Sequence, residues 1–171
     1  NVAVGYQTLY SAVTPYYAVA VGYQAGKNYT GTSATEHYGS TFIGLQAGFS
    51  TANAYDNTFV GGSVATNNTT GSYNIALGGN SLGSNTTGSS NTALGYTALA
   101  SNTTANNNTA VGYQAGYSNT TGQFNTFHGM QSGYSNTSGA DNTNIGYAAN
   151  YSNSTGNNNV AVGFQCLNSN T

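Results

Sequence analysis

A glycine recurs along this chain at a nearly constant interval. Gly5, Gly22, Gly44, Gly61, Gly78, Gly95, Gly112, Gly129, Gly146 and Gly163 head ten copies of one unit. Eight of the nine intervals are 17 residues, and the ninth, from Gly22 to Gly44, is 22. The cleanest copy, residues 108–124, reads Asn-Thr-Ala-Val-Gly-Tyr-Gln-Ala-Gly-Tyr-Ser-Asn-Thr-Thr-Gly-Gln-Phe. A unit this short has little core of its own. A chain made of such units gains stability by stacking each copy on the next, which restricts the fold to a repeat architecture.

Counted from the key glycine, each column has a character. The preceding residue is aliphatic (Val4, Val21, Ile43, Val60, Leu77, Leu94, Val111, Ile145, Val162) except at His128, and the residue before that is Ala or Phe except at Asn144. Thr or a β-branched aliphatic prevails one place earlier. This is a strand signature, too short for a helix, and the glycine that ends it suits a sharp bend or a close backbone approach. Tyr-Gln-Ala-Gly-Tyr reads as a second short extended segment, and Ser-Asn-Thr-Thr-Gly supplies turn chemistry. Two short strands and two bends describe one coil of a parallel β-solenoid, an all-β fold with one coil per 17-residue repeat. Stacking at about 4.8 Å then sets Val and Ile in an aliphatic ladder within the core. Asn1, Asn57, Asn74, Asn91, Asn108, Asn125, Asn142 and Asn159 form an amide ladder of the kind that stabilises cross-β stacks. The whole chain, 1–171, reads as a single array of ten coils with a five-residue insertion within 27–40. The insertion is expected to protrude as a loop while the coils on either side stay in register.

Composition narrows the function. Asn, Thr, Gly and Ser supply 93 of the 171 residues, against one Lys, no Arg and three acidic residues. Bulky aliphatics are too few for one broad globular core. Disordered chains are commonly charge-rich and aromatic-poor, whereas this one carries 15 Tyr and 6 Phe, so order through stacking is expected. With a single cation, neither a phosphate backbone nor an anionic membrane surface is an expected partner. No apolar run approaches the roughly 20 residues that span a bilayer. The chain begins and ends inside a repeat, so a segment of a longer array is expected, with targeting signals and caps elsewhere. The lone Cys166 takes a column filled by Ala elsewhere and reads as a small residue at a small-residue position.

Tyr6, Tyr23, Tyr96, Tyr113 and Tyr147 follow the key glycine, and Tyr10, Tyr117, Tyr134 and Tyr151 recur four places later. So much aromatic surface on a narrow coil favours burial between chains, and an oligomer about a threefold axis is expected. Asn-Thr-Ala-Val-Gly-Tyr-Gln-Ala resembles the short head repeats of trimeric autotransporter adhesins. It is still more similar to the Asn-Thr-Ala-Leu-Gly repeats of bacterial surface fibres and phage tail fibres. The resemblance covers nearly the whole chain and is weakest at 11–17 and 27–40. It implies a left-handed β-roll assembled as a homotrimer, with a structural or adhesive role. The adhesin heads have a shorter period, and no neck, stalk, anchor or chaperone stands in this segment.

Catalytic chemistry finds little support. Asp56 and Asp141 share a column five coils apart, too distant to act as a carboxylate pair, and both read as turn residues. Glu36, His37 and Lys27 make the insertion the only charged neighbourhood, read as a loop or contact point. His128 stands in the aliphatic column taken as core, where three copies would converge only if that column faced an axis. Calcium-binding solenoids need Asp in nearly every turn, and no metal or other cofactor is expected. Asn68, Asn85, Asn102, Asn119, Asn136 and Asn153 share one column and each heads an Asn-x-Ser/Thr sequon, as do Asn28, Asn67, Asn107 and Asn150. These are candidate glycosylation sites as well as turn formers. The expectation is a non-enzymatic structural or adhesive fibre segment, extracellular, on a cell surface or virion. Its expected partners are copies of itself and cell-surface or carbohydrate ligands. A phage tail fibre shaft is the nearest variant. An ice-binding solenoid, with Thr58, Thr92, Thr109, Thr126 and Thr143 as an interrupted row, is the alternative from another class. A polysaccharide-degrading spike is disfavoured by the missing carboxylates.

Overall fold

The computed structural model describes residues 1–13, 17–30 and 39–168. Each copy of the repeat contributes one strand of three residues. They are β1 (Val2–Val4), β2 (Val19–Val21), β3 (Thr41–Ile43), β4 (Thr58–Val60), β5 (Ile75–Leu77), β6 (Thr92–Leu94), β7 (Thr109–Val111), β8 (Thr126–His128), β9 (Thr143–Ile145) and β10 (Val160–Val162). All ten lie in one parallel sheet in chain order, so the chain winds as a β-solenoid of nine turns between first and last strand. Pairing is strictly in register, Thr92 against Thr109 and Thr109 against Thr126. The long interval does not disturb it, because Val19 still pairs with Thr41. The expected protrusion at residues 31–38 lies outside the described residues.

The key glycine ends the strand because nothing else fits there. Gly112 has φ +135°, and a Cβ on it would lie 2.7 Å from the backbone carbonyl of Gly129 in the next coil. The second extended segment expected from Tyr-Gln-Ala-Gly-Tyr does not form. In its place is a run of turns in which the second and fourth residues after the glycine are left-handed, for example Gln24 (φ 55°), Gln114 (φ 56°), Leu82 (φ 50°) and Leu99 (φ 50°). A third left-handed position falls five residues before the glycine, at Tyr73 (φ 60°) and Phe124 (φ 57°). Non-glycine residues rarely occupy this region and do so at a cost. Stacking offsets it: the turns carry hydrogen bonds to both neighbouring coils, Ser63 N donating to Leu45 O (2.8 Å) and Ala65 N to Ser81 O (3.0 Å).

Within each strand from β2 to β10 the middle residue is buried and its two neighbours are not. The interior therefore holds the Ala/Phe column, and the aliphatic column read as core lies outward. A three-residue strand with apolar residues in both columns gives no phase from the sequence, which is why the expectation reversed the two. The fourth residue after the glycine shares the interior with the Ala/Phe column, and the two trade volume. Ala76 goes with Leu82 and Ala93 with Leu99, whereas Phe42 goes with Gly48, Phe59 with Ala65 and Phe127 with Gly133. A Cβ on Gly48 or Gly133 would collide with the ring of that Phe. The trade also runs between coils. Ala110 goes with Gly116, where an added Cβ would meet Phe127 of the next coil and Leu99 of the previous one. In the coil of Gly146 both positions are polar, and Asn150 Nδ2 donates to Asn144 Oδ1 (3.2 Å).

Close packing makes this pairing testable, since both voids and overfilling destabilise. Leu99→Gly alone should cost about 2–4 kcal/mol, less whatever left-handed strain the glycine relieves. Ala93→Phe alone should cost about 1–3 kcal/mol by overpacking. Together they recreate the Phe/Gly pair found at Phe42 and Gly48 and should restore at least half of the summed loss, measured as the denaturation midpoint by circular dichroism. Additive losses would contradict the shared-volume account.

Candidate functional site

Two asparagine columns build the interior on its polar side. In the first, the Oδ1 of each Asn accepts the backbone N–H of the Asn above it: Asn57 from Asn74 (2.9 Å), Asn74 from Asn91 (3.0 Å), Asn91 from Asn108 (3.0 Å). In the second, Asn85 Nδ2 donates to Asn68 Oδ1 (2.7 Å), Asn102 to Asn85 (2.8 Å) and Asn136 to Asn119 (2.8 Å). From Gly71 to Gly156, in six coils, both columns then converge on one inward backbone carbonyl per coil. Gly88 O accepts from Asn74 (2.8 Å) and Asn85 (2.9 Å), and Gly122 O from Asn108 (2.8 Å) and Asn119 (2.9 Å). A carbonyl has two lone pairs, and both are satisfied.

This places the sequon asparagines. Asn68, Asn85, Asn102, Asn119, Asn136 and Asn153 are all buried, with Nδ2 pointing into the rod. A sugar on that nitrogen would replace one N–H and would have to leave from a buried atom, so a coil carrying it could not close in this form. Asn150 is buried as well, Asn28 is half-buried, and Asn67 and Asn107 are exposed. The turn-forming tendency of the column was legible in the sequence, and its inward direction was not. The signal was the spacing: in one 17-residue coil, two nearly unbroken Asn columns flank a single Gly or Ala.

The outer surface is organised by the same register. Three columns face outward from the sheet: the first and last strand residues and the residue after the key glycine. Among the described residues, sixteen of the twenty-two exposed large apolar side chains stand in these columns, including Ile43, Leu45, Leu77, Tyr96, Tyr113 and Phe164. His128 and Met130 occupy the same outward face, His128 between Val111 and Ile145 in register. The threonines Thr92, Thr109, Thr126 and Thr143 form its first column.

Rings stack along the third of these columns, and a second aromatic column and an amide ladder run beside the face. Tyr6 stacks on Tyr23 at 5.3 Å, Tyr96 on Tyr113 at 5.9 Å and Tyr147 on Phe164 at 5.2 Å. In the second aromatic column Tyr117, Tyr134 and Tyr151 stack at 5.2 and 4.9 Å with their rings nearly parallel. Lys27 enters the N-terminal end of that column, with Nζ 5.9 Å from the Tyr10 ring centre and 5.4 Å from that of Phe49. The one Lys of the chain is thus held by ring faces on both sides.

The residues singled out for chemistry stay apart. Asp56 and Asp141 both adopt the left-handed turn conformation, φ 53° and 58°, in the turn role expected of them. Cys166 Sγ donates to Gly163 O at 3.3 Å. Glu36 and His37 lie outside the described residues. Among the described residues no three of His, Cys, Asp and Glu gather as metal ligands, and no helix is long and apolar enough to cross a membrane. Compared with known proteins, the chain matches no family, no curated protein and no solved structure.

Two phenols are perturbed: burial pushes the fully enclosed Tyr29 above its ordinary value, and the second is Tyr134. Burial against its neighbours, then the negative charge that Tyr151, Tyr117 and Tyr113 acquire on ionising, push Tyr134 above the ordinary value of 10.0. The unfolded chain releases this proton first, so the contribution of the stack to stability is intact below pH 10 and is lost as pH rises through the folded value. We expect spectrophotometric titration of a Tyr29→Phe variant still to show a tyrosine ionising later than the rest, and the added Tyr134→Phe to remove that late step. A late step that persists in the double variant would contradict the assignment.

Proposed function

We propose that this chain is a stiff segment of a structural or adhesive extracellular fibre, displayed on a cell surface or virion, and that it works without catalysis. In this reading three parallel copies assemble about a threefold axis through the outward sheet face. The observation that carries it is the concentration of exposed apolar side chains in the three outward columns. Such a contiguous apolar surface marks an interaction site. Copies of one rod share the coil spacing, so their columns can interdigitate along the full length. With one Lys and three acidic residues in the chain, identical faces meet with little like-charge repulsion. The dispersed ionisable groups support a role in length, stiffness and surface rather than chemistry.

The in-register threonines favour a second reading, an ice-binding face, in which a regular Thr column beside aliphatic residues orders water. Thermal hysteresis of a dilute solution of the chain tests it directly.

The fibre reading predicts that light scattering at micromolar concentration gives three times the chain mass. Replacing Leu77 and Leu94 with Ser should dissociate the assembly while leaving the circular dichroism spectrum unchanged. A stable wild-type monomer would contradict it. The non-catalytic reading would fail if a variant combining Asp56→Asn, His128→Val, Asp141→Asn and Cys166→Ala formed normal assemblies but lost a measurable hydrolytic or metal-dependent activity.

A further inference from the structure

The column two places after the key glycine is an amide ladder with a fixed sense. Gln24 Nε2 donates to Gln7 Oε1 (2.7 Å), Gln46 to Gln24 (3.0 Å) and Gln131 to Gln114 (3.0 Å). Each Gln therefore donates toward the preceding coil and offers its oxygen to the next. In the coil of Gly146 this position is Ala148. Gln131 Oε1 is left without the donor that would come from above, and Gln165 Nε2 without the acceptor that would lie below; among the described residues neither has a partner. The two amides face one another across two coil spacings, about 9.6 Å of rod.

The missing side chain opens a slot of about 230 Å³ lined by Gln131, Tyr147, Ala148, Tyr151, Gln165 and Asn168. Tyr147 belongs to the first aromatic column and Tyr151 ends the stacked run of the second. The other break in the Gln ladder, at Ser63, Asn80 and Thr97, is flanked by Gly62, Gly79 and Tyr96 and by Thr66, Gly83 and Ala100, so within it one ring, not two, stands at its wall. Only the break at Ala148 joins an orphaned donor and acceptor to two aromatic walls.

None of the six lining residues is charged at neutral pH, so the slot has no counterion for a phosphate, carboxylate or ammonium group. It suits a neutral ligand with hydroxyls on opposite edges and an apolar C–H surface between them. Its volume is below the roughly 300–1,000 Å³ of pockets that take drug-sized molecules, which limits it to a single ring. We propose that the slot binds one neutral hexose or N-acetylhexosamine residue of a glycan. A ring hydroxyl donates to Gln131 Oε1, a second sugar oxygen accepts from Gln165 Nε2, and the C–H surface packs against Tyr147 and Tyr151. The proposal rests on the adhesive-fibre reading for its biological setting, since a weak single site gains useful strength when a fibre repeats it. Binding itself does not depend on assembly.

The test is saturation-transfer NMR on the full chain, irradiating tyrosine ring protons while D-glucose, D-galactose, D-mannose and N-acetyl-D-glucosamine are titrated in turn. At least one sugar should bind with a Kd on the order of 1–10 mM, as expected for so few atoms. Ala148→Gln installs the residue that Gln114 shows to fit this backbone, completes the ladder and fills the slot. It should weaken binding at least about tenfold, the equivalent of losing two ordinary hydrogen bonds. Gln165→Ala leaves the slot open but removes its donor and should weaken binding about three- to tenfold; it decides the matter if Ala148→Gln does not fold. No transfer to any of the four sugars, or equal binding by wild type and both variants, would overturn the proposal. Light scattering on the same samples separates the two readings. Sugar binding by a monomer would sink the fibre assembly and keep the slot, and a trimer that binds no sugar would do the reverse.

Discussion

The rod is closed by a carbonyl that points the wrong way. In six of the coils the backbone at Gly71, Gly88, Ala105, Gly122, Gly139 or Gly156 turns its C=O into the interior, where no strand partner can reach it. Two asparagines from separate columns donate to it at once. Leaving such a group unpaired would cost roughly 1–3 kcal/mol per coil, repeated through those six coils. Meeting it requires Asn at two fixed offsets and a residue no larger than Ala between them, because a Cβ at Gly88 or Gly122 already crowds the amides. Those demands are what the repeat unit records.

With the polar side fixed, the remaining interior is a narrow channel of nearly constant volume. Most coils fill it with Ala and Leu or with Phe and a small residue, and the Ala110/Gly116 coil is filled from its neighbours. The exterior is free to vary, and it varies by column rather than at random. Aliphatic and threonine side chains line the outward sheet face, stacked tyrosines and a glutamine ladder its flank. Interruptions of these columns matter more than their consensus. Ala148 opens the glutamine ladder, and His128 and Met130 interrupt the aliphatic and aromatic columns of one outward face.

Much of this was legible in the sequence. The glycine period gave the coil and its register, and the reason for the glycine, a backbone approach too close for a Cβ, followed from its place at the strand end. The amide ladder from Asn57 to Asn159 was legible from its spacing alone. Three features were not. The left-handed turns at residues such as Gln114 and Leu99 defeat local propensity, because the stack enforces a conformation that isolated residues avoid. The inward direction of Asn102 and its equivalents was hidden by their resemblance to turn and sequon chemistry. The side on which Val111 or Leu94 faces depends on strand parity, which three residues with two apolar columns do not reveal.

The claim on which the account rests is that both asparagine columns are internal and hydrogen-bonded. Hydrogen exchange of the asparagine side-chain amides, followed by NMR on the folded chain, tests it most directly. The Nδ2 protons of Asn74, Asn91 and Asn108, and of Asn85, Asn102 and Asn119, should exchange far more slowly than those of the exposed Asn107. If the sequon column from Asn85 to Asn119 exchanges as fast as Asn107, the carbonyl clamp does not exist and the coil is closed in some other way.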